Sequence, residues 1–182
     1  MDWSDLAAEL VGLLTRRGET VACAESLTAG LVSASIADVP GASAVLLGGL
    51  VTYAARLKIE LLGVPASVID AVGTVDPAVA VAMAEGVRAR LGATWGLATT
   101  GVAGPGPAEG KPAGTVHVAV AGPSGTASLA CRLTGERAQV RASTVREVLT
   151  LALHEVGATQ ATPAPLTDAG GTVGPGDSAA ST

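Results

Sequence analysis

The only tyrosine of this 182-residue chain, Tyr53, stands five residues before Lys58, one of its two lysines; Ser43 stands ten before the tyrosine. Nine of the eleven basic residues are arginines. Lysine differs from arginine in that it can give up its proton in a buried site. A serine, a phenol and a scarce lysine in one stretch have the makings of a nucleophile, a base and a proton relay. On spacing alone each has a plainer reading: a turn cap, a strand-end aromatic and a solvated lysine.

The elements that must position these residues are legible in the hydrophobic pattern. Asp2 or Ser4 caps a first helix, Leu6, Leu10, Leu13 and Leu14 share its buried face, and Gly18 stops it. Thr20 to Ala24 reads as a short buried strand that delivers Glu25-Ser26-Leu27-Thr28-Ala29-Gly30 to its carboxyl end, before a helix to Ala37. Val45 to Tyr53 reads as the next strand, Ala55 to Leu62 as a helix closed by Gly63, and Ser67 to Ala71 as a turn. Asp76-Pro77 opens a helix to Leu91. Trp95 to Thr100 is a strand, 101–114 a Gly/Pro loop, Val116 to Val120 and Ala127 to Leu133 a hairpin, and Glu136 to Val156 the last helix. Strands alternating with helices, then a hairpin, predict an α/β fold: a three-layer α/β/α sandwich with a mixed, mostly parallel sheet of about five strands. Residues 1–156 form one domain of a size that supports a full core. Residues 157–182 are Ala, Thr, Pro, Gly and Ser in the main, and are expected to be a disordered tail.

Composition narrows the function. A net charge of −5 and no basic run beside aromatics argue against a nucleic-acid partner. No apolar run approaches the ~20 residues of a membrane span and the start is acidic, so no membrane partner and a cytoplasmic location are expected. Cys23 and Cys131 match no metal or redox spacing and read as free thiols. Gly104 to Gly110 is one residue too long for a phosphate loop, and Lys111 precedes proline rather than serine or threonine. No dinucleotide-binding glycine pattern follows a strand, and His117 and His154, read as ordinary, partly exposed histidines, have no ligand partners at metal spacing. The expected chemistry uses no metal and no cofactor.

Six segments in order then carry a resemblance: Glu25-Ser26-Leu27-Thr28-Ala29-Gly30, Pro40-Gly41-Ala42-Ser43, Gly48-Gly49-Leu50-Val51-Thr52-Tyr53 with Lys58, Leu61-Leu62-Gly63-Val64, Gly101-Val102-Ala103-Gly104-Pro105 and Lys111-Pro112-Ala113-Gly114-Thr115-Val116. Together the chain resembles the CinA C-terminal-domain family, as a stand-alone domain. The resemblance implies nicotinamide mononucleotide amidohydrolase activity, a three-layer fold with a five-stranded mixed sheet, and a homodimer. It also implies a catalytic set of Ser43 as nucleophile with Tyr53 and Lys58 as acid/base partners. A carboxamide resists water, so an activated nucleophile suits the reaction, with Lys58 neutral through burial. Two departures stand out: Ala29-Gly30 where relatives often carry two glycines, and Ala54-Ala55 where they often carry Ser-Asn.

For the substrate, Arg137 and, second to it, Arg141 share one face at the start of the last helix, where an anion would offset their conflict with the helix dipole. They are the candidate ligands of the nucleotide phosphate. Thr28 and Gly30 precede another helix and offer a second anion site. Ser26 and Thr100 end strands and line the pocket; Gly101 opens a loop whose N–H groups, like those near Ser43, are candidates for holding an oxyanion. Glu25 is a candidate for holding a backbone turn or a ribose hydroxyl. Two other readings stand beside the amidase: a non-catalytic nucleotide-binding or competence-associated module, and an amidase for another small carboxamide.

Overall fold

A computed structural model describes residues 2–159. Helix α1 (Trp3–Arg17) is capped by Asp2 and ends at Gly18, which takes the left-handed conformation with φ 63°. It leads into β1 (Val21–Glu25), buried along its whole length as a central parallel strand must be. Then follow α2 (Leu31–Ala37), a 3-10 turn Ala42–Ala44, β2 (Leu46–Val51), α3 (Ala55–Leu62), α4 (Ala66–Val72) and α5 (Pro77–Leu91). The chain closes with β3 (Trp95–Gly101), β4 (Thr115–Gly122), β5 (Gly125–Arg132) and α6 (Arg137–Ala158).

The five strands form one sheet in the order β2-β1-β3-β4-β5. The β2-β1 and β1-β3 pairs are parallel, and β4 alone runs against the others. The expected mixed sheet, with most strands pointing one way, is therefore present. Helices α1, α2 and α6 pack on one face over Leu10, Leu14, Val118, Val120, Val148 and Leu149. Helices α3 and α5 cover the other over Ala22, Ala98, Ala119 and Met83. With no phenylalanine to fill space, α5 lies close to the sheet: a Cβ on Gly96 would sit 2.1 Å from the Ala84 carbonyl.

Three boundaries differ from the sequence reading. Segment Ala66–Val72 is a helix rather than a turn, started by Pro65 and ended by Gly73. Strand β2 stops at Val51: the Thr52 N–H makes the last bond to β1, on the Glu25 carbonyl (2.9 Å), and the chain then turns into α3. Helix α6 runs on through Gly157 and Ala158, two residues expected in the tail, while Val156 still packs in the core. The rest of that tail lies outside the described residues. Both cysteines are free thiols, Cys23 in the core and Cys131 half-buried. No described helix is long and apolar enough to cross a membrane.

Candidate active site

The crossover from β1 to β2 through α2 lies on one face of the sheet, and the return from β2 to β3 on the other, so the carboxyl end of β1 is the switch point where α/β sheets place their sites. Ser26 is the first residue past that end, and its N–H is held by the Thr99 carbonyl of β3 (3.0 Å). Lys58 reaches it from α3. Its side chain is entirely buried, and Nζ donates to the Ser26 hydroxyl (3.1 Å), the Thr52 carbonyl (2.7 Å) and the Tyr53 carbonyl (3.3 Å). Burial disfavours the ammonium and lowers its pKa to about 8, against a smaller opposing pull from the Glu109 carboxylate. The result is a serine hydroxyl paired with a lysine that can be neutral near physiological pH.

Ser43 is not part of this arrangement. It lies exposed in the 3-10 turn that precedes β2, whereas Lys58 works at the opposite end of that strand. Six strand residues separate the two ends by about 20 Å. The expected Ser43–Lys58 pair is therefore corrected to Ser26–Lys58. The role expected of Tyr53 changes as well. Its carbonyl, not its phenol, meets Lys58; the phenol is 55% exposed and accepts from Arg137 (2.9 Å).

Several expected substrate contacts turn out to hold the protein itself together. Glu25, 1% exposed, accepts from the N–H groups of Gly30, Val32 and Ser33 and from the Ser33 hydroxyl, all within 3.0 Å. Its carboxylate thus fills the start of α2, where Thr28 and Gly30 were expected to offer an anion site. The Thr28 hydroxyl turns inward to Thr99 (2.7 Å), and the Thr100 hydroxyl donates to the Thr74 carbonyl (2.7 Å). Gly101 pairs with Val116 and leaves no room for a side chain, since a Cβ would meet the Thr115 carbonyl at 2.7 Å. Arg141 donates to the carbonyls of Leu27 (3.0 Å) and Thr28 (2.7 Å), so its guanidinium is committed to the turn after Ser26 rather than to a phosphate.

Arg137 alone keeps an exposed cationic head at the rim, between the Tyr53 phenol and the Gly104 carbonyl (2.7 Å). The amides at the start of α6 are shared with the Glu136–Gln139 capping box. His117 is buried, 9% exposed, opposite Thr100 in the sheet, unlike the partly exposed histidine expected there; burial lowers its pKa. One contributor had no signal in the sequence: Glu109, which accepts from the Thr74 N–H (2.7 Å) and hydroxyl (2.6 Å) and ties the Gly/Pro loop beside the site. Ser26 did have one, for a polar residue just past a buried parallel strand is where α/β sites form. Among the described residues, no three of His, Cys, Asp and Glu gather as metal ligands would.

The CinA C-terminal domain family matches the chain over residues 4–156. The chain belongs to that family. A CinA-like protein of Frankia casuarinae is 51% identical over 146 residues, which are 80% of this chain and 34% of that protein. A CinA-like protein of Anaeromyxobacter sp. (strain K) is 49% identical over 148 residues, 81% of this chain and 36% of that protein. The chain thus spans about a third of the length of these curated relatives. Among solved structures, the competence/damage inducible protein CihA of Agrobacterium tumefaciens superposes with a TM-score of 0.82 at 34% identity, covering 86% of this chain and 96% of that one. The competence damage-inducible protein A of Klebsiella pneumoniae gives 0.85 at 30%, covering 88% and 100%. Ala29, where the resemblance led to an expectation of glycine, stands at φ 51°, a left-handed conformation that costs a non-glycine residue about 1–2 kcal/mol.

Proposed function

We propose that this CinA-family domain is a Ser/Lys amidohydrolase that converts nicotinamide mononucleotide to nicotinate mononucleotide and ammonia. The observation that carries the reading is the buried Lys58 amine hydrogen-bonded to the Ser26 hydroxyl. Neutral Lys58 takes the hydroxyl proton as Ser26 Oγ bonds to the carboxamide carbon, and the carbonyl electron pair moves onto its oxygen. When the adduct collapses, the C–N bond breaks and the Lys58 ammonium gives its proton to the departing nitrogen, so ammonia leaves rather than an amide anion. Water then attacks the acyl-enzyme with Lys58 again as base, and the proton it gains returns to Ser26 Oγ as the acid is released. Arg137, exposed at the rim and bonded to Tyr53, is the group suited to the nucleotide phosphate, with the phenol beside it.

Ammonia release from nicotinamide mononucleotide decides the matter. The wild-type protein should release it, Ser26→Ala should reduce release to background, and Ser43→Ala should retain it. Loss in Ser43→Ala with Ser26→Ala active would return the nucleophile to Ser43. Nucleotide binding without release by the wild type would make the domain a binding module. Release from free nicotinamide at an equal rate would make it an amidase for small carboxamides in general.

A further inference from the structure

The amidase reading, on which this inference rests, puts a negative charge on the former carbonyl oxygen of the substrate, and such a charge needs donors aimed at it. The turn after Ser26 holds them. Within it, the Ser26 N–H goes to Thr99, the Ala29 N–H to the Ser26 carbonyl (3.2 Å), the Gly30 N–H to Glu25 and the Leu31 N–H to the Thr28 carbonyl (3.2 Å). Two N–H groups are left over, those of Leu27 and Thr28, with no acceptor among the described residues. Leu27 is 3% exposed and Thr28 is 0% exposed, and buried N–H groups without partners are rare in folded proteins.

Arg141 and a bond within the turn set where these two groups point. In a trans peptide the N–H lies opposite the C=O of the same plane. Arg141 Nε draws the Leu27 carbonyl toward α6, so the Thr28 N–H on that plane faces away from α6. The Ser26 carbonyl is turned inward to the Ala29 N–H, so the Leu27 N–H on that plane faces out of the turn. The second Arg141 bond, to the Thr28 carbonyl, holds the next plane. Away from α6 is the side of the sheet from which α3 brings Lys58 to Ser26.

We propose that the backbone N–H groups of Leu27 and Thr28 form the oxyanion hole of this site, and that Arg141 is the positioning residue that fixes the Thr28 N–H plane and braces the plane after it. Arg141 then stabilises the transition state without touching the substrate.

The test is the rate at which a fluorophosphonate labels Ser26, read by mass spectrometry, in the wild type, Arg141→Ala and Arg141→Lys. In that step the Oγ–P bond forms, fluoride leaves, the serine proton passes to Lys58, and the phosphoryl oxygen sits in the hole. Arg141→Ala should label roughly 10²-fold more slowly. Arg141→Lys should lose less, since an ammonium reaches one carbonyl well where the guanidinium reaches two. Binding of nicotinate mononucleotide, which lacks the tetrahedral oxyanion, should keep its wild-type Kd in both. Wild-type labelling rates in the variants would overturn the proposal, as would weakened product binding with unchanged labelling, the pattern of a phosphate ligand. Where Arg141→Ala fails to fold, Arg141→Lys alone decides on the same criteria. A wild type that is not labelled at Ser26 would remove the Ser26–Lys58 pair itself, and with it both the oxyanion hole and the amidase reading.

Discussion

Lys58 is the residue whose chemistry depends most on its surroundings. With its pKa near 8, most of it is ammonium at pH 7, and only the neutral fraction can take the Ser26 proton. Activity at low substrate should therefore climb about tenfold per pH unit below 8 and level off above it. A kcat/KM profile between pH 6 and 9.5 checks this; a flat profile would show that Lys58 is not the titrating base. Lys58→Arg should lose both the activity and the rising limb, because a guanidinium stays charged throughout that range. The three contacts of Nζ also explain how the chain manages with Ala54-Ala55. Two main-chain carbonyls and Ser26 orient the amine, so no neighbouring asparagine is needed to aim it.

The element that matters most is α3, because it carries Lys58 and has little else to hold it. Its N-cap, Ala54, makes no side-chain capping bond. Its far end rests on α5, where the Leu62 carbonyl lies against Gly86. A Cβ at position 86 would fall 2.0 Å from that carbonyl oxygen, and main chain yields less readily than a side chain. Gly86→Ala should thus push α3 outward, cost roughly 1–3 kcal/mol of stability, and lower kcat although residue 86 makes no contact with Ser26 or Lys58 Nζ. Denaturant unfolding and steady-state kinetics on this variant read both effects. Full activity would mean that α3 tolerates displacement at this end. The turn after β1 is secured more firmly, by Glu25 from below and Arg141 from the side.

At the scale of the molecule, everything that builds the site lies between Glu25 and Arg141, and the core is closed by α6 through Val156. A chain ended after Thr159 should melt at the temperature of the full chain and keep its ammonia release; a drop in either would give residues 160–182 a part in the fold or the reaction. The order of strands and helices was legible because each carries a local signal: the leucine spacing of α1, the Asp76-Pro77 start of α5, the alternating Val116, Val118 and Val120 of β4. The short α4 was not, for seven residues with none buried leave no periodicity to read. By itself the sequence determined the layered α/β architecture, the scarce lysine as the residue to watch and the family to which the chain belongs. Only the tertiary structure decided which serine that lysine serves. Ser43 is nearer to Lys58 along the chain, but a strand carries the backbone about 3.3 Å per residue away from its start, so β2 sets the two at opposite ends. Ser26, thirty-two residues distant in sequence, is brought to the amine because β1 and β2 lie side by side in parallel register and end at the same edge of the sheet.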